Sequence, residues 1–261
     1  MIEADRAPEL GISAPTQGDD PGLEAVVRTL AGLRPSGAGF IIGVTGAVAS
    51  GKSTLSRALR ERLSAWPDRP VVDVVGTDGF LHSNQVLGGL GLTARKGFPE
   101  SYDVAALRRA LAETRLGPVD FPGYSHVIYD VDPGLARRID RPDILIIEGL
   151  SLDLDHQGAA SRLLDALIYL DAEETDIEAW FVARFLGLWA AAEHDPASFY
   201  ARFRGLDRDQ AAALARTVWT GVNLPNLREH ICGARDLADI VVRKGPGHAI
   251  QSVTLASEPR P

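Results

Sequence analysis

The sequence predicts an α/β protein: a doubly wound, mainly parallel sheet with helices on both faces. Three observations predict it. Short Val/Ile/Leu-rich runs recur along the chain and are apolar at successive positions, as strands buried on both faces are. Stretches with apolar residues at helical spacing lie between them. The first such strand and helix are joined by a glycine-rich loop, the strand–loop–helix order of a parallel α/β unit.

Taken in order, residues 1 to about 22 are rich in Pro, Gly and acids and predict a weakly ordered lead. A short helix is expected over 23–33, ended by Arg34-Pro35-Ser36-Gly37. Phe40-Ile41-Ile42-Gly43-Val44 marks a strand over 40–45. Leu55, Leu59 and Leu63 mark a helix over 52–65. Further strands are expected at 71–76, 143–148, 166–171 and 238–243, each an apolar run bounded by breakers or charges. Further helices are expected at 103–114, 174–192, 196–204, 207–219 and 226–231. The alternation in 248–255 suggests an edge strand, and Pro259 and Pro261 a loose tail over 257–261. The organisation is therefore a lead over 1–35, a single domain over 36–256, and the tail.

Composition narrows the function. The 261 residues carry a net charge of −8, which disfavours nucleic acid and anionic membranes as partners. Cys232 is the one cysteine, so no internal disulfide forms. The N-terminus lacks a basic region followed by an apolar one, and no apolar run approaches the ~18 residues of a membrane helix. A cytoplasmic protein is expected.

The motif that carries chemistry is Gly46-Ala47-Val48-Ala49-Ser50-Gly51-Lys52-Ser53, which reads G-x-x-x-x-G-K-S. Between a strand and a helix this is a phosphate loop, and it makes the predicted fold that of a P-loop NTPase. Its N–H groups, continued into Thr54 at the helix start, would surround the phosphates of ATP. Lys52 would reach the β- and γ-phosphates and Ser53 would bind Mg²⁺. Asp78 follows the second strand. Ligands of open parallel sheets gather at strand carboxyl ends, so Asp78 is placed to accept a hydroxyl proton or to bind Mg²⁺ through water. Glu148 ends another strand and is a candidate Mg²⁺ ligand. Asp171 ends a third, where a cap or turn role competes equally. Tyr124, His126, Tyr129 and Asp130 concentrate polar groups suited to a small molecule, although His126 alone reads equally as structural. Arg95-Lys96, unaided, reads as a solvated loop.

Together these residues resemble bacterial type I pantothenate kinases, P-loop kinases related to phosphoribulokinase and uridine kinase. The matching strings are Gly46 to Ser53, Thr77-Asp78-Gly79-Phe80-Leu81-His82 with Asn84-Gln85-Val86-Leu87, Lys96-Gly97-Phe98-Pro99-Glu100-Ser101-Tyr102-Asp103, Tyr124-Ser125-His126 with Ile128-Tyr129-Asp130, Glu148-Gly149-Leu150, and Asn223 with Asn226-Leu227. The resemblance implies ATP-dependent phosphorylation of the primary hydroxyl of pantothenate, the first committed step toward coenzyme A. It implies Asp78 as the base, Lys96 near the transferring phosphate, and Arg184 stabilising charge there. Tyr124, His126, Tyr129, Phe181 and Asn223 would line the pantothenate pocket, and His248 would lie near the nucleotide base. It further implies coenzyme A competing with ATP through Arg57 and His126, and a homodimer. The chain departs from the family pattern at Phe181 (usually Tyr), at Leu188 (commonly aromatic) and at Gly76 (usually Thr). It also departs at Ser151-Leu152-Asp153, at His230-Ile231-Cys232-Gly233-Ala234-Arg235, and in a shorter N-terminal region. These departures admit two other readings, a related kinase acting on another small alcohol and a non-catalytic regulator binding ATP or coenzyme A.

Overall fold

All seven residues of β1 (Phe40–Gly46) are buried, which marks it as the centre of the sheet. The computed structural model describes residues 20–35, 39–150, 152 and 163–256. The expected lead through residue 19, the breaker at 36–37, Ser151, Asp153 and the tail lie outside them. Around β1 the strands β2 (Val72–Gly76), β7 (Ile144–Glu148), β8 (Ala166–Asp171), β9 (Ile240–Lys244) and β10 (Ile250–Leu255) form one six-stranded sheet in the order β10-β9-β8-β1-β7-β2. All pairs are parallel except β10 on β9. Two small antiparallel pairs lie apart, β3 (Pro118–Phe121) with β6 (Arg137–Asp140), and β4 (Tyr124–Ser125) with β5 (Asp130–Val131).

Successive residues of a strand face opposite sides of the sheet. Ile42, Val44, Ile144, Ile146, Ile168 and Val242 therefore meet Leu55, Leu59 and Leu63 of helix α2 (Lys52–Ser64) and Val26 and Leu30 of α1 (Pro21–Leu33). Their neighbours Ile41, Leu145, Ile147 and Leu167 pack on the other face. There they meet Leu107 and Leu111 of α4 (Val104–Thr114), Ile177 and Trp180 of α5 (Glu174–Ala191), and Trp219 and Ile231. This is the predicted doubly wound arrangement, with helices on both faces.

The differences from expectation are local. The segment 196–204 is a single 3₁₀ turn, Phe199–Phe203, rather than an α-helix. The helices expected at 207–219 and 226–231 are one continuous helical stretch. It starts as α6 (Arg208–Val218) and widens into two π-turns, Trp219–Asn223 and Leu227–Ile231. Pro225, between them, has no N–H to donate to the preceding turn, and a wider turn accommodates that loss. Helix α3 (Asn84–Gly89) and both small pairs were not foreseen. At two to six residues each, they are too short to carry a periodicity.

Candidate active site

The phosphate loop leaves the carboxyl end of β1 through Gly46, whose φ of 141° suits glycine. A Cβ at Gly46 would lie 2.6 Å from the Leu170 carbonyl oxygen. Ala49 also takes a left-handed φ of 62°, a local strain of the kind that collects at binding loops. The Lys52 ammonium donates to the carbonyls of Gly46 (3.2 Å) and Ala47 (2.9 Å), so it lies across its own loop. Burial pulls the Lys52 pKa down, and the carboxylates of Glu148 and Asp78 oppose that shift.

The parallel register brings the acids to this loop. Glu148 is the last residue of β7 and is level with Val44 of β1 and Gly76 of β2. Asp78 sits on the 3₁₀ turn Thr77–Phe80 immediately after β2. The Ser53 hydroxyl donates to Glu148 Oε1 at 2.7 Å. A hydroxyl and a carboxylate in contact beside a phosphate loop are the hard oxygen donors that Mg²⁺ takes, so these two residues fit the ion. Gly149 allows the approach of the two strand ends, since a Cβ there would meet Thr77 Oγ1 at 1.9 Å.

A cavity of about 430 Å³ opens from this point. Lys52, Ser53, Asp78, Glu148 and Arg184 line it together with Lys96, Tyr124, His126, Tyr129, Phe181 and Asn223. The β4–β5 hairpin carries the aromatic wall. Tyr124 meets His126 edge-on at 5.1 Å and Tyr129 at 6.1 Å. Burial raises both phenols, Tyr124 further than Tyr129, which is pushed up to about 12. Burial lowers the His126 pKa against the pull of Asp78, so its imidazole is neutral at neutral pH. The Lys96 ammonium lies 4.7 Å from the Tyr129 ring centroid and donates to Asn84 Oδ1 (2.7 Å) and the Tyr129 carbonyl (2.6 Å). Desolvation lowers its pKa, opposed by Asp130 and Asp78. Lys96 thus lines the cavity, where its bare sequence suggests a solvated loop.

Three sequence-singled residues lie elsewhere. His248 stacks on Trp180 with ring centroids 3.9 Å apart, beside a separate cavity of about 120 Å³ that Gly51, Thr54 and Lys244 also line. Arg57 is exposed on α2 and lines neither cavity. Asp171 accepts from Arg243 at 2.9 Å and Arg235 at 3.4 Å, an ion-pair network that gives it a structural role. Sequence reasoning missed Lys244. Its ammonium donates to the Ser50 carbonyl of the phosphate loop at 2.8 Å. Burial lowers its pKa to about 8. A lysine at a strand end before a glycine turn gives no signal of such a contact.

Comparison with known proteins bears on this geometry. The family model described as Phosphoribulokinase / Uridine kinase family matches residues 41–184. The pantothenate kinase of Chelativorans sp. (strain BNC1) is 48% identical over 226 residues, which cover 83% of this chain and 71% of that protein. That of Sorangium cellulosum (strain So ce56) is 45% identical over 230 residues, covering 86% and 73%. Among solved structures, D-glycerate 3-kinase from Cryptococcus neoformans var. grubii superposes with a TM-score of 0.58 at 11% identity, covering 91% of this chain and 97% of that one, a likeness of fold. No helix among the described residues is long and apolar enough to cross a membrane.

Proposed function

Because the chain belongs to the phosphoribulokinase/uridine kinase family, we propose that it transfers the γ-phosphoryl group of ATP to the primary hydroxyl of pantothenate. The observation that carries this reading is the single cavity joining the phosphate loop and Asp78 to Tyr124, His126, Tyr129 and Asn223. Phosphoryl transfer needs positioning and charge neutralisation more than covalent chemistry. In this reading Lys52 leaves its loop carbonyls for the β- and γ-phosphate oxygens. The Asp78 carboxylate takes the proton of the acceptor hydroxyl as the hydroxyl oxygen attacks the γ-phosphorus, and the bond from that phosphorus to the bridging oxygen breaks to release ADP. In the same reading Lys96 and Arg184, which line the cavity with Asp78, offset charge that builds on that phosphate in the transition state. The neutral imidazole of His126 and the protonated phenols of Tyr124 and Tyr129 hydrogen-bond the acceptor and keep water out. Ser53 and Glu148 would hold Mg²⁺, which neutralises phosphate charge when bound.

The same reading makes residues 36–256 one kinase domain and the protein a cytoplasmic homodimer in which coenzyme A competes with ATP. Family resemblance supports these parts. His126 stands in the cavity, whereas Arg57, on the exposed side of α2, needs a ligand that extends beyond it. His248, backed by Trp180 and lining the smaller cavity with Gly51 and Thr54, offers a flat aromatic ring for the nucleotide base.

The test is ADP release with Mg²⁺-ATP and pantothenate, with Lys52→Ala as the blank. Pantothenate-dependent turnover lost in the variant is expected. Turnover on uridine or another alcohol but not on pantothenate would overturn the acceptor. ATP binding without turnover on any acceptor would overturn the enzyme. Coenzyme A titration against ATP and light scattering test the competitor and the dimer.

A further inference from the structure

The structure assigns Asn226 a positioning role: its amide ties the loop that carries Lys96 to the helix that carries Asn223. This inference rests on the proposed kinase reading and goes beyond it, since it concerns a residue outside the set assigned to ATP or acceptor.

Asn226 lies between the two π-turns and is 4% exposed. Its Nδ2 donates to the Gly97 carbonyl at 2.9 Å, a buried bond across 129 positions of sequence. Gly97 follows Lys96 directly and takes a φ of 94°, a conformation open to glycine and strained for other residues, so the loop depends on its contacts to stay in place. The far side of the loop is also fixed. Gly97 N–H donates to Ser101 Oγ at 2.9 Å, and that hydroxyl donates to the Phe98 carbonyl at 2.6 Å. The bond from Asn226 is the hydrogen bond that links this closed turn to the helix, beside an edge-on contact of Phe98 with His230 at 5.7 Å.

One turn of that helix earlier, Asn223 lines the cavity, and its Nδ2 is buried without a partner. One helical stretch therefore presents a group to the acceptor region and holds the loop of a phosphate-side lysine. π-Turns are often found where a helix must aim side chains at a site. Here they bring Asn223 and Asn226 to the same cavity wall. Without the Asn226 donor, the buried Gly97 carbonyl loses its partner and the loop can turn away. Lys96 would then leave its place over Tyr129, beside Asp78. A displacement of about 1 Å at a reacting centre can cost about 100-fold in rate.

The experiment is a double-mutant cycle. Asn226→Leu removes the donor at similar volume, and Asn226→Ala serves as a second variant should the first fold poorly. Each is expected to lower kcat on pantothenate by about 10- to 100-fold while the KM for ATP changes less than about 2-fold. In a Lys96→Met background the same changes should lower kcat no further, because the effect runs through Lys96. A full-sized effect in that background, or an unchanged kcat, would overturn the assignment. Hydrogen exchange supplies a readout free of the acceptor. Amides of residues 97–102 should exchange at least about 10-fold faster in the variants, with those of α2 unchanged. A wild-type chain inactive on pantothenate would sink the functional reading. Unchanged exchange would sink the positioning role.

Discussion

Replacing Gly149 by alanine tests whether the two acid-bearing strand ends are held together by close approach alone. The added Cβ would sit 1.9 Å from Thr77 Oγ1, 2.6 Å from its Cγ2 and 2.7 Å from its Cβ. Rotating the Thr77 side chain can move the first two atoms but not the third. With ordinary contact beginning at 3.4 Å, the backbone must give by about 0.7 Å. Thr77 is buried, so the shift is taken up by the turn that carries Asp78 or by the end of β7 that carries Glu148. Overpacking of this kind costs roughly 1–3 kcal/mol. For a chain of this size that lowers the unfolding midpoint by roughly 2–12 °C. The functional cost is separate, because a displacement approaching 1 Å between base and phosphate loop should lower kcat by about 10-fold or more. Thermal unfolding and steady-state ADP release would be measured on the same preparation. Gly88→Ala in α3, where a Cβ meets nothing within 4 Å, is the control and should be neutral or slightly stabilising. A Gly149→Ala protein with the midpoint and kcat of the wild type would refute the argument that this contact sets the Asp78–Glu148 geometry.

Other expectations follow from single contacts. Asp78→Asn should lower kcat by about 10²- to 10⁴-fold with the unfolding midpoint preserved, and turnover near that of the wild type would remove Asp78 as the base. Phe181→Tyr adds a hydroxyl to the cavity wall and should lower the KM for pantothenate by about 5-fold, equivalent to about 1 kcal/mol, so an unchanged KM would mean that this edge does not touch the acceptor. Lys244 is held to a pKa of about 8 by burial, below the ordinary 10.5, so between those values the unfolded chain binds the proton that the folded chain has released. Its contribution to stability therefore rises with pH across that window, and Lys244→Met should lose that rise in a pH series of denaturation curves. An identical slope in wild type and variant would show that burial does not govern this lysine.

What the sequence made legible is what is local. The phosphate loop could be read because its glycines, lysine and serine are consecutive and both flanks are regular. Asp78 and Glu148 could be read because a parallel sheet gathers strand ends, and the register of β1, β7 and β2 does gather them. Tyr124, His126 and Tyr129 stand out in the bare sequence as clustered polar groups suited to a small molecule, but only family resemblance points them at the acceptor. The hairpin that presents them has strands of two residues, and the left-handed φ of 56° at Tyr129 has no compositional sign. The 3₁₀ turn at Phe199–Phe203 was misread as a helix because its aromatics satisfy a helical pattern while packing against α5 and α6.

The fate of three cations makes the limit specific. Lys52 is positioned by its own loop, five or six residues from both carbonyls it contacts, so a motif contains its whole environment. Lys96 depends on Asn84 and on the Tyr129 carbonyl, twelve and thirty-three positions away. Physics applied to the bare sequence therefore left it in solvent. Lys244 reaches the Ser50 carbonyl across 194 positions, from the end of β9. Burial of an ammonium is tolerated only where acceptors are supplied, and the acceptor here is the backbone of the phosphate loop itself. The phosphate loop is thus braced from outside its motif, by a residue whose significance arises only when β9 pairs with β8.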